Sequence, residues 1–447
     1  MNTQVLDKFA VSNKLLTSLM WPLALIVVLH RTWALPQNPY STDDFTTVWR
    51  AIQRFVNQVP VYNETYVHTN PHYLYSPGGT LLLSPMALFG TYDITRLSFA
   101  IIQSIAIIIG LTLLLRWLGV ARGSWLLPFI IMVAFHTEGV SNTLSFTNVN
   151  GSLFLAVVLF LLLLTPKQLR SNILAGLIIG VALTIKPVVA PLLVLPLLRK
   201  QFSAIAAAVV VPVLANAIAW QLMVQPRDYI DLLVPYLKIV RDYANSSLAG
   251  QLTWLGANPA LILLWQLFFA AFIGVSFILL LRWQDRDEVF WLATNSGLIL
   301  TTAFFLSSLG QQYYSILLLP LFLSFLRPLV GARDSLGLPA PTVMRNWPMG
   351  LAAGLCLFYG NWEIENARLF SSWLTIAVGA FGWGLLILAM AGTMIHLTLQ
   401  DHFAGRPFSE GMDWVKNWFR FRARPSSVDS KTESKTLEST KATSKAV

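Results

Sequence analysis

Long apolar runs recur along the whole chain, and they constrain the fold more than any other feature. Runs of about 17–25 residues have the length that a helix needs to cross roughly 30 Å of hydrocarbon. Mean hydropathy is +0.61, and 55% of the 447 residues are hydrophobic. The runs predict an all-α polytopic membrane protein with about 10–12 transmembrane helices. The range reflects the segment around Lys186-Pro187, which reads either as two tilted spans or as one broken helix. Candidate spans lie at about 15–35, 94–116, 123–138, 149–165, 171–186, 187–199, 203–223, 259–282, 289–308, 314–330, 347–362 and 371–397.

Basic residues are unevenly distributed between the loops, and this indicates an orientation. With the N-terminus inside and the spans alternating, 22 of the 31 Lys and Arg residues fall on the inner side, nine of them after residue 398. This positive-inside bias predicts a multi-pass plasma-membrane protein with cytoplasmic N- and C-termini. The net charge of +10 follows from topology and tail. No basic stripe with interleaved aromatic residues is present, so we expect no nucleic-acid partner.

The sequence divides into three parts. Residues 1–400 form the predicted transmembrane domain, with a long first external loop at about 36–93 and a second at about 224–258. Loops of this size in a compact protein are usually functional. Residues 401–424 mix aromatic with basic side chains, which predicts an interfacial amphipathic segment. Residues 425–447 are rich in Ser, Thr, Lys and Glu and contain no aromatic residue, which predicts a disordered cytoplasmic tail.

Two adjacent acids, Asp43 and Asp44, follow the first span by only a few residues. A carboxylate at the bilayer surface can accept a proton from a hydroxyl nucleophile, although acids in loops are often simply solvated. The next residues predict an amphipathic helix from Phe45 to Val59. Thr42 or Asp43 can cap that helix. Because both acids cannot be the cap, one carboxylate remains free.

Further polar side chains collect in the segments that the topology assigns to the outer side. Lys186 ends an apolar run and suits an anionic headgroup, and Arg241 can hold phosphate through its guanidinium fork. Alternatively, Lys186 extends to the interface and Arg241 pairs with a loop acid. The remaining groups suit a sugar ring or a phosphate, or else form an aromatic belt and hydrogen bonds between helices. They are His72, Tyr73, Tyr75, Glu138, Asn142, Asn150, Tyr313 and Tyr314.

The acids and cations on one face predict chemistry on a lipid-linked phosphate substrate at the outer leaflet. The sequence shows no metal-ligand spacing, no phosphate-binding glycine motif and no nucleophile elbow. We therefore expect no metal and no cofactor.

An ordered set of motifs also resembles a known family. The chain is similar to the polytopic glycosyltransferases of the C-type fold that use polyprenyl-phosphate sugars, and above all to their actinobacterial arabinofuranosyltransferases. The similarity runs from Leu29 to about residue 330. It is densest in Thr42-Asp43-Asp44-Phe45, Pro71-His72-Tyr73-Leu74-Tyr75, Pro77-Gly78-Gly79-Thr80, Thr147-Asn148-Val149-Asn150-Gly151, Lys186-Pro187, Arg241-Asp242-Tyr243, Asn245-Ser246-Ser247 and Tyr313-Tyr314-Ser315.

The resemblance implies an inverting sugar transfer outside the plasma membrane. The implied donor is decaprenyl-phosphoryl arabinofuranose, the acceptor is an α-1,5-linked arabinan of arabinogalactan or lipoarabinomannan, and the product is an α-1,3 branch. It also implies an acidic base in the first external loop: Asp44 is favoured and Asp43 is the second choice, with Trp49 standing where the family pattern has a tyrosine. Lys186 and Arg241, with His72, then stabilise the phosphate that leaves. Two rival readings are a polyprenyl-phosphate-mannose-dependent mannosyltransferase and a lipid or sugar transporter.

Overall fold

The fold is a bundle of helices of very unequal length. The computed structural model describes residues 3–37, 43–66, 71–358, 360, 367–409, 412 and 414–415. Within these ranges no strand forms apart from an isolated bridge between Arg333 and Pro339, which confirms the predicted all-α class. The α-helices are α1 Thr3–Ala34, α2 Asp44–Val56, α3 Pro77–Leu83, α4 Tyr92–Trp117, α5 Leu126–Ala134, α6 Glu138–Ser145, α7 Asn150–Leu164, α8 Leu169–Ile185, α9 Val194–Leu198, α10 Phe202–Leu222, α11 Val234–Leu237, α12 Leu248–Trp254, α13 Pro259–Leu280, α14 Glu288–Leu306, α15 Leu319–Phe322, α16 Leu326–Leu329, α17 Trp347–Leu357 and α18 Arg368–Phe403. Short 3-10 segments are Leu35–Gln37, Ser84–Phe89, Pro187–Leu193, Leu281–Trp283, Gln312–Leu318, Leu323–Phe325 and Val343–Arg345, and Tyr229–Leu233 is a π-helix.

Six helices in the described part of the chain are long and apolar enough to cross a bilayer. They match six of the predicted runs and comprise Asn13–Gln37, Tyr92–Trp117, Phe202–Leu222, Pro259–Trp283, Glu288–Leu306 and Leu369–Phe403. The other predicted runs form helices that are shorter, as α7, α8 and α17 are, or broken, as between residues 312 and 329. The predicted range of 10–12 spans holds only when these shorter helices are counted as well.

The segment around Lys186 is a real break in the helix. α8 ends at Ile185, and Lys186 has an extended backbone with φ −132° and ψ 103°. Proline disfavours a helical conformation in the residue before it, so Pro187 accounts for this end. The chain then continues as a 3-10 turn and the short helix α9. The break places the Lys186 side chain at the end of the helix rather than along its side.

The helix predicted after the paired acids is confirmed as α2, with Asp43 as its N-cap. Phe45, Val48, Ala51, Ile52 and Phe55 are buried on one face, as the spacing of apolar residues predicted. The burial of that face holds the first turn of α2 against the bundle. Thr42, the other candidate cap, lies outside the described residues.

The first long loop is attached to the membrane helices through α3. The N-cap Ser76 donates from Oγ to the Thr184 carbonyl at 3.0 Å, and the Gly78 amide donates to Asn216 Oδ1 at 2.9 Å. A Cβ on Gly79 would lie 3.1 Å from the same Thr184 carbonyl oxygen, which is tighter than most Cβ contacts, so glycine suits this close approach. α3 therefore fixes the preceding loop beside the end of α8, next to Lys186.

The two ends of the bundle differ chemically, as α7 shows. At one end Lys186 Nζ donates to Asn150 Oδ1 at 3.0 Å. At the other end, roughly 20 Å away along the helix axis, Arg199 Nη2 donates to the Leu164 carbonyl at 3.1 Å. Arginine–carboxylate pairs accumulate at this second end: Arg199–Glu288, Arg282–Asp401, Arg286–Asp334, Arg286–Asp401, Arg327–Asp287 and Arg406–Asp401.

The C-terminal segments are only partly described. α18 continues to Phe403, so the predicted boundary at residue 400 falls in its last turn. Beyond it, Trp414 Nε1 donates to the Leu281 carbonyl at 2.9 Å. Residues 410, 411, 413 and 416–424 of the predicted interfacial segment, and the whole predicted tail 425–447, lie outside the described residues.

Candidate functional site

A cavity of about 210 Å³ lies at the Lys186 end of the bundle. Its wall combines the first turn of α2, the loop before α3, the end of α8, the second long loop and the segment after α14. Eight of the twelve predicted site residues line it: Asp44, His72, Tyr73, Tyr75, Lys186, Arg241, Tyr313 and Tyr314. Residues far apart in the sequence thus form one polar site with both signs of charge.

The two adjacent acids have different environments. Asp43 is 3% exposed, and its Oδ1 accepts from the backbone and hydroxyl of Thr46, both at 2.9 Å. Its Oδ2 accepts from Arg96 Nη2, which also donates to the Ser145 carbonyl at 2.9 Å. Asp43 is therefore the helix cap and half of a buried ion pair, and it is absent from the cavity wall.

Asp44 is the first residue of α2 and lines the cavity. Its Oδ2 accepts from Asn148 Nδ2 and from the Tyr313 hydroxyl, each at 3.2 Å. Its place in the first turn of α2 is at the positive end of the helix dipole. Burial, followed by the Asp44 charge, raises the pKa of the neighbouring Tyr75 phenol. Asp44 thus combines a partly solvated carboxylate with a fixed orientation.

Lys186 is held over two aromatic rings. It is 9% exposed, and its Nζ lies 5.4 Å from the Tyr313 ring centre and 5.1 Å from the Tyr314 ring centre. Cation–π contacts of this kind stabilise a buried ammonium. Asn150 Oδ1 accepts one hydrogen bond from the ammonium group, which can donate three. The amide of Asn150, predicted to bind sugar, is therefore used to position Lys186, and Asn150 does not line the cavity.

Arg241 supplies the second cation of the cavity wall. The residue is half-buried, and its Nε is buried with no hydrogen-bond partner among the described residues. Asn245 Nδ2 donates to the Arg241 carbonyl at 2.9 Å and fixes the backbone at this point. A buried guanidinium nitrogen without a partner costs free energy, which an anion in the cavity would offset.

The aromatic loop before α3 has a mixed role. His72 Nδ1 lies 3.2 Å from Glu64 Oε2, within a loop cluster that includes Arg54. The Tyr73 hydroxyl pairs with Thr80 Oγ1 at 2.7 Å, and Tyr73 is 1% exposed. Tyr73 therefore mainly holds the loop, whereas Tyr75 stands next to Asp44.

A second cavity of about 260 Å³ contains two more of the predicted residues, Glu138 and Asn142. Gln311 and Tyr313 line both cavities, so they form the wall between them. Neither Gln311 nor Asn148 was predicted from the sequence as a site residue, although Asn148 belongs to one of the motifs that carry the family resemblance. Among the described residues, no three His, Cys, Asp or Glu side chains lie close enough together to hold a metal ion.

Comparisons with known proteins identify the family of the chain. Residues 73–308 match the family Glycosyltransferase family 87. The chain is 39% identical over 368 residues to an alpha-(1->3)-arabinofuranosyltransferase of Corynebacterium glutamicum, covering 82% of this chain and 84% of that protein. It is 36% identical to proteins of the same description from Mycolicibacterium smegmatis, over 89% of this chain and 90% of that protein, and from Mycobacterium tuberculosis, over 89% of each. No solved structure matches the chain.

Proposed function

The chain belongs to glycosyltransferase family 87, and we propose that it is a multi-pass membrane arabinofuranosyltransferase that uses Asp44 as its general base. In this proposal it transfers arabinofuranose from decaprenyl-phosphoryl arabinofuranose to an arabinan and forms an α-1,3 linkage. The activity after which the relatives are named supports the sugar and the linkage. The single observation that carries the catalytic assignment is the cavity that holds one free carboxylate together with two cations.

Two features support a lipid-linked phosphate donor. Lys186 and Arg241 both line the cavity, and cations stabilise the negative charge that grows on a departing phosphate. Next to the cavity lies an apolar groove of about 300 Å³, lined along α8 by Ile178, Val181 and Ile185. Ile185 also borders the cavity, one residue before Lys186. A polyprenyl chain in this groove places its phosphate beside the two cations.

The proposed reaction is a single displacement. The acceptor hydroxyl oxygen attacks the anomeric carbon, and the new carbon–oxygen bond forms as the bond to the phosphate oxygen breaks. The bonding electron pair leaves with the polyprenyl phosphate beside Lys186 and Arg241, and the hydroxyl proton passes to Asp44. General-base assistance of this kind contributes about 10²–10⁴-fold to a rate. Attack opposite the leaving group inverts the anomeric carbon.

We place the cavity at the external, periplasmic side of the membrane. The arginines at the opposite end of the bundle, among them Arg199 and Arg286, support this orientation, because basic loop residues are concentrated on the cytoplasmic side of membrane proteins. A periplasmic site also lies on the side where an arabinan acceptor would be found. In this arrangement His72 lies with the two cations on the phosphate side of the cavity, and Tyr75 is the aromatic side chain available to the substrate sugar.

The test is transfer by the purified protein in lipid nanodiscs. Decaprenyl-phosphoryl arabinofuranose and a synthetic α-1,5-arabinan are supplied, and the product linkage is determined by methylation analysis. We expect a 3-linked branch with inverted configuration. Decaprenyl-phosphoryl mannose is the matched alternative donor, and transfer of mannose alone would refute the arabinose assignment. Consumption of donor without any glycan product would refute the transferase activity.

A further inference from the structure

The second cavity is chemically distinct from the first. Its polar wall contains a carboxyl group, amides and hydroxyls, and three aromatic rings also line it. In the described wall there is no Lys or Arg. A phosphate lacks a counter-charge in such a cavity, whereas sugar hydroxyls pair with carboxyl and amide groups and sugar rings pack on aromatic faces. The residues that define it are Glu138, Asn142, Ser246, Gln312, Phe146 and Tyr313.

Glu138 is the most unusual member of this wall. It is 6% exposed, and its Oε1 accepts from Asn142 Nδ2 at 2.8 Å. Its Oε2 is buried and has no hydrogen-bond partner among the described residues. An unsatisfied buried oxygen is costly. Because Glu138 lines the cavity, its carboxyl group can also pair with a ligand hydroxyl there.

The position of the cavity connects it to the proposed base. The Tyr313 side chain lines both cavities, and its hydroxyl donates to Asp44 Oδ2. The volumes of about 210 and 260 Å³ are below the range of about 300–1,000 Å³ that is typical of ligand pockets. Each cavity therefore has room for one or two sugar residues, and the shared wall at Gln311 and Tyr313 places the second cavity where a longer glycan can continue.

We propose that the second cavity is an acceptor subsite for a sugar residue next to the one that reacts. Glu138 and Asn142 hydrogen-bond the hydroxyls of this neighbouring residue, while the reacting hydroxyl reaches Asp44 past Tyr313. The inference rests on the proposed function and adds to it a subsite that makes acceptor binding depend on the length of the acceptor. A single arabinoside fills only the first cavity, whereas a tri- or tetrasaccharide fills both.

The test compares acceptors of different length. With donor at saturation, we expect Glu138→Gln to raise the KM of a tetra-arabinoside by about tenfold, since the amide replaces one carboxyl oxygen by an NH₂ group and so changes the hydrogen bonds that the acceptor hydroxyls can make. The KM of the donor and the kcat should change by less than about threefold, because the reacting groups are untouched. The KM of a single arabinoside should also change little. Asn142→Ala removes the second polar group and should reproduce this pattern.

The matched control is Asp93→Asn, which makes the same change from acid to amide at an exposed position in the first turn of α4. It should leave every constant unchanged. An unchanged tetra-arabinoside KM in Glu138→Gln and Asn142→Ala would overturn the proposal, as would an equal effect on the single arabinoside. Melting temperatures verify that each variant is folded, and Asn142→Ala carries the test if Glu138→Gln fails to fold, because Asn142 is only half-buried.

A separate binding measurement distinguishes this inference from the proposed function. Titration of Asp44→Asn with the tetra-arabinoside, followed by tryptophan fluorescence, reports acceptor binding without catalysis. We expect the variant that combines Asp44→Asn with Glu138→Gln to bind the tetra-arabinoside more weakly than Asp44→Asn alone. If the wild type transfers no arabinose but this binding difference persists, the proposed function fails and the subsite stands. If transfer occurs and the binding difference is absent, the subsite fails alone.

Discussion

Replacing Asp43 and Asp44 one at a time by asparagine should separate folding from chemistry. The substitutions are identical and occur at adjacent positions, so local sequence effects are closely matched. Asp43 contacts only structural partners, whereas Asp44 lines the cavity. We expect Asp43→Asn to lower stability with little change in turnover per folded molecule, and Asp44→Asn to do the reverse.

The magnitude for Asp43 follows from its partners. Asparagine is as good an N-cap as aspartate, so the bond to the Thr46 amide survives. Arg96 keeps its bonds to the Tyr92 hydroxyl and the Ser145 carbonyl but loses its anionic partner. The side chains of Arg96 and Asp43 are only 8% and 1% exposed. Breaking a pair this deeply buried costs about 3–5 kcal/mol.

The magnitude for Asp44 follows from its role. An asparagine side-chain oxygen still accepts from Asn148 and Tyr313, so the site keeps its shape. The basic oxygen is lost, and a rate loss of about 10²–10⁴-fold is expected. That loss corresponds to about 3–5 kcal/mol in the activation barrier.

The assay combines two readouts on the same preparations. Thermal unfolding in detergent gives the melting temperature, and mass spectrometry of the extended acceptor gives turnover per folded molecule. Arg96→Gln combined with Asp43→Asn closes a double-mutant cycle, in which we expect coupling of about 0.5–3 kcal/mol between the two residues. Two results would refute the assignment: wild-type turnover by Asp44→Asn, or an inactive Asp43→Asn with an unchanged melting temperature.

Three further substitutions probe the site and its support. Lys186→Gln should lower single-turnover transfer by about 10²–10³-fold, as loss of one group that stabilises a leaving anion does elsewhere; a wild-type rate would exclude Lys186 from the phosphate site. Tyr313→Phe removes one donor to Asp44 but keeps the ring under Lys186, so turnover should fall less than about tenfold at an unchanged melting temperature. Gly176→Ala places a Cβ 2.2 Å from a carbonyl oxygen of α10 and should destabilise the fold by about 1–3 kcal/mol. Gly274→Ala, where a Cβ meets nothing within 4 Å, is its control and should leave the melting temperature unchanged or raise it slightly, because alanine has the higher helix propensity.

Much of the fold could be predicted because its signals are local. The length of an apolar run predicts a spanning helix, and six predicted runs form such helices. The amphipathic spacing after Asp44 predicts α2, and a proline after Lys186 predicts a break. Where a run contains its own helix breakers, as between residues 312 and 329, hydropathy alone predicted one span and the structure has several short segments.

The sequence predicted most of the residues that belong to the site, but it did not predict the role of each one. Eight predicted residues line one cavity, and two more line its neighbour, which shares Tyr313 with the first. Asn150, predicted to bind sugar, positions Lys186 instead, and the Tyr73 hydroxyl is paired with Thr80. A residue type states which bonds a side chain can make. It does not state which of the possible partners the fold places next to that side chain.

The sequence by itself determined the membrane class, the helical architecture and the presence of one spare acid after the first span. Only the tertiary structure decided which acid is spare. Asp43 is occupied by Arg96, 53 positions away, and Asp44 meets Tyr313 from 269 positions away. The physical reason is that helix formation and membrane crossing depend on neighbours within a few turns, whereas the partner of a carboxylate depends on how distant helices pack. Two adjacent acids with nearly the same local sequence therefore acquire different roles only when the bundle closes around them.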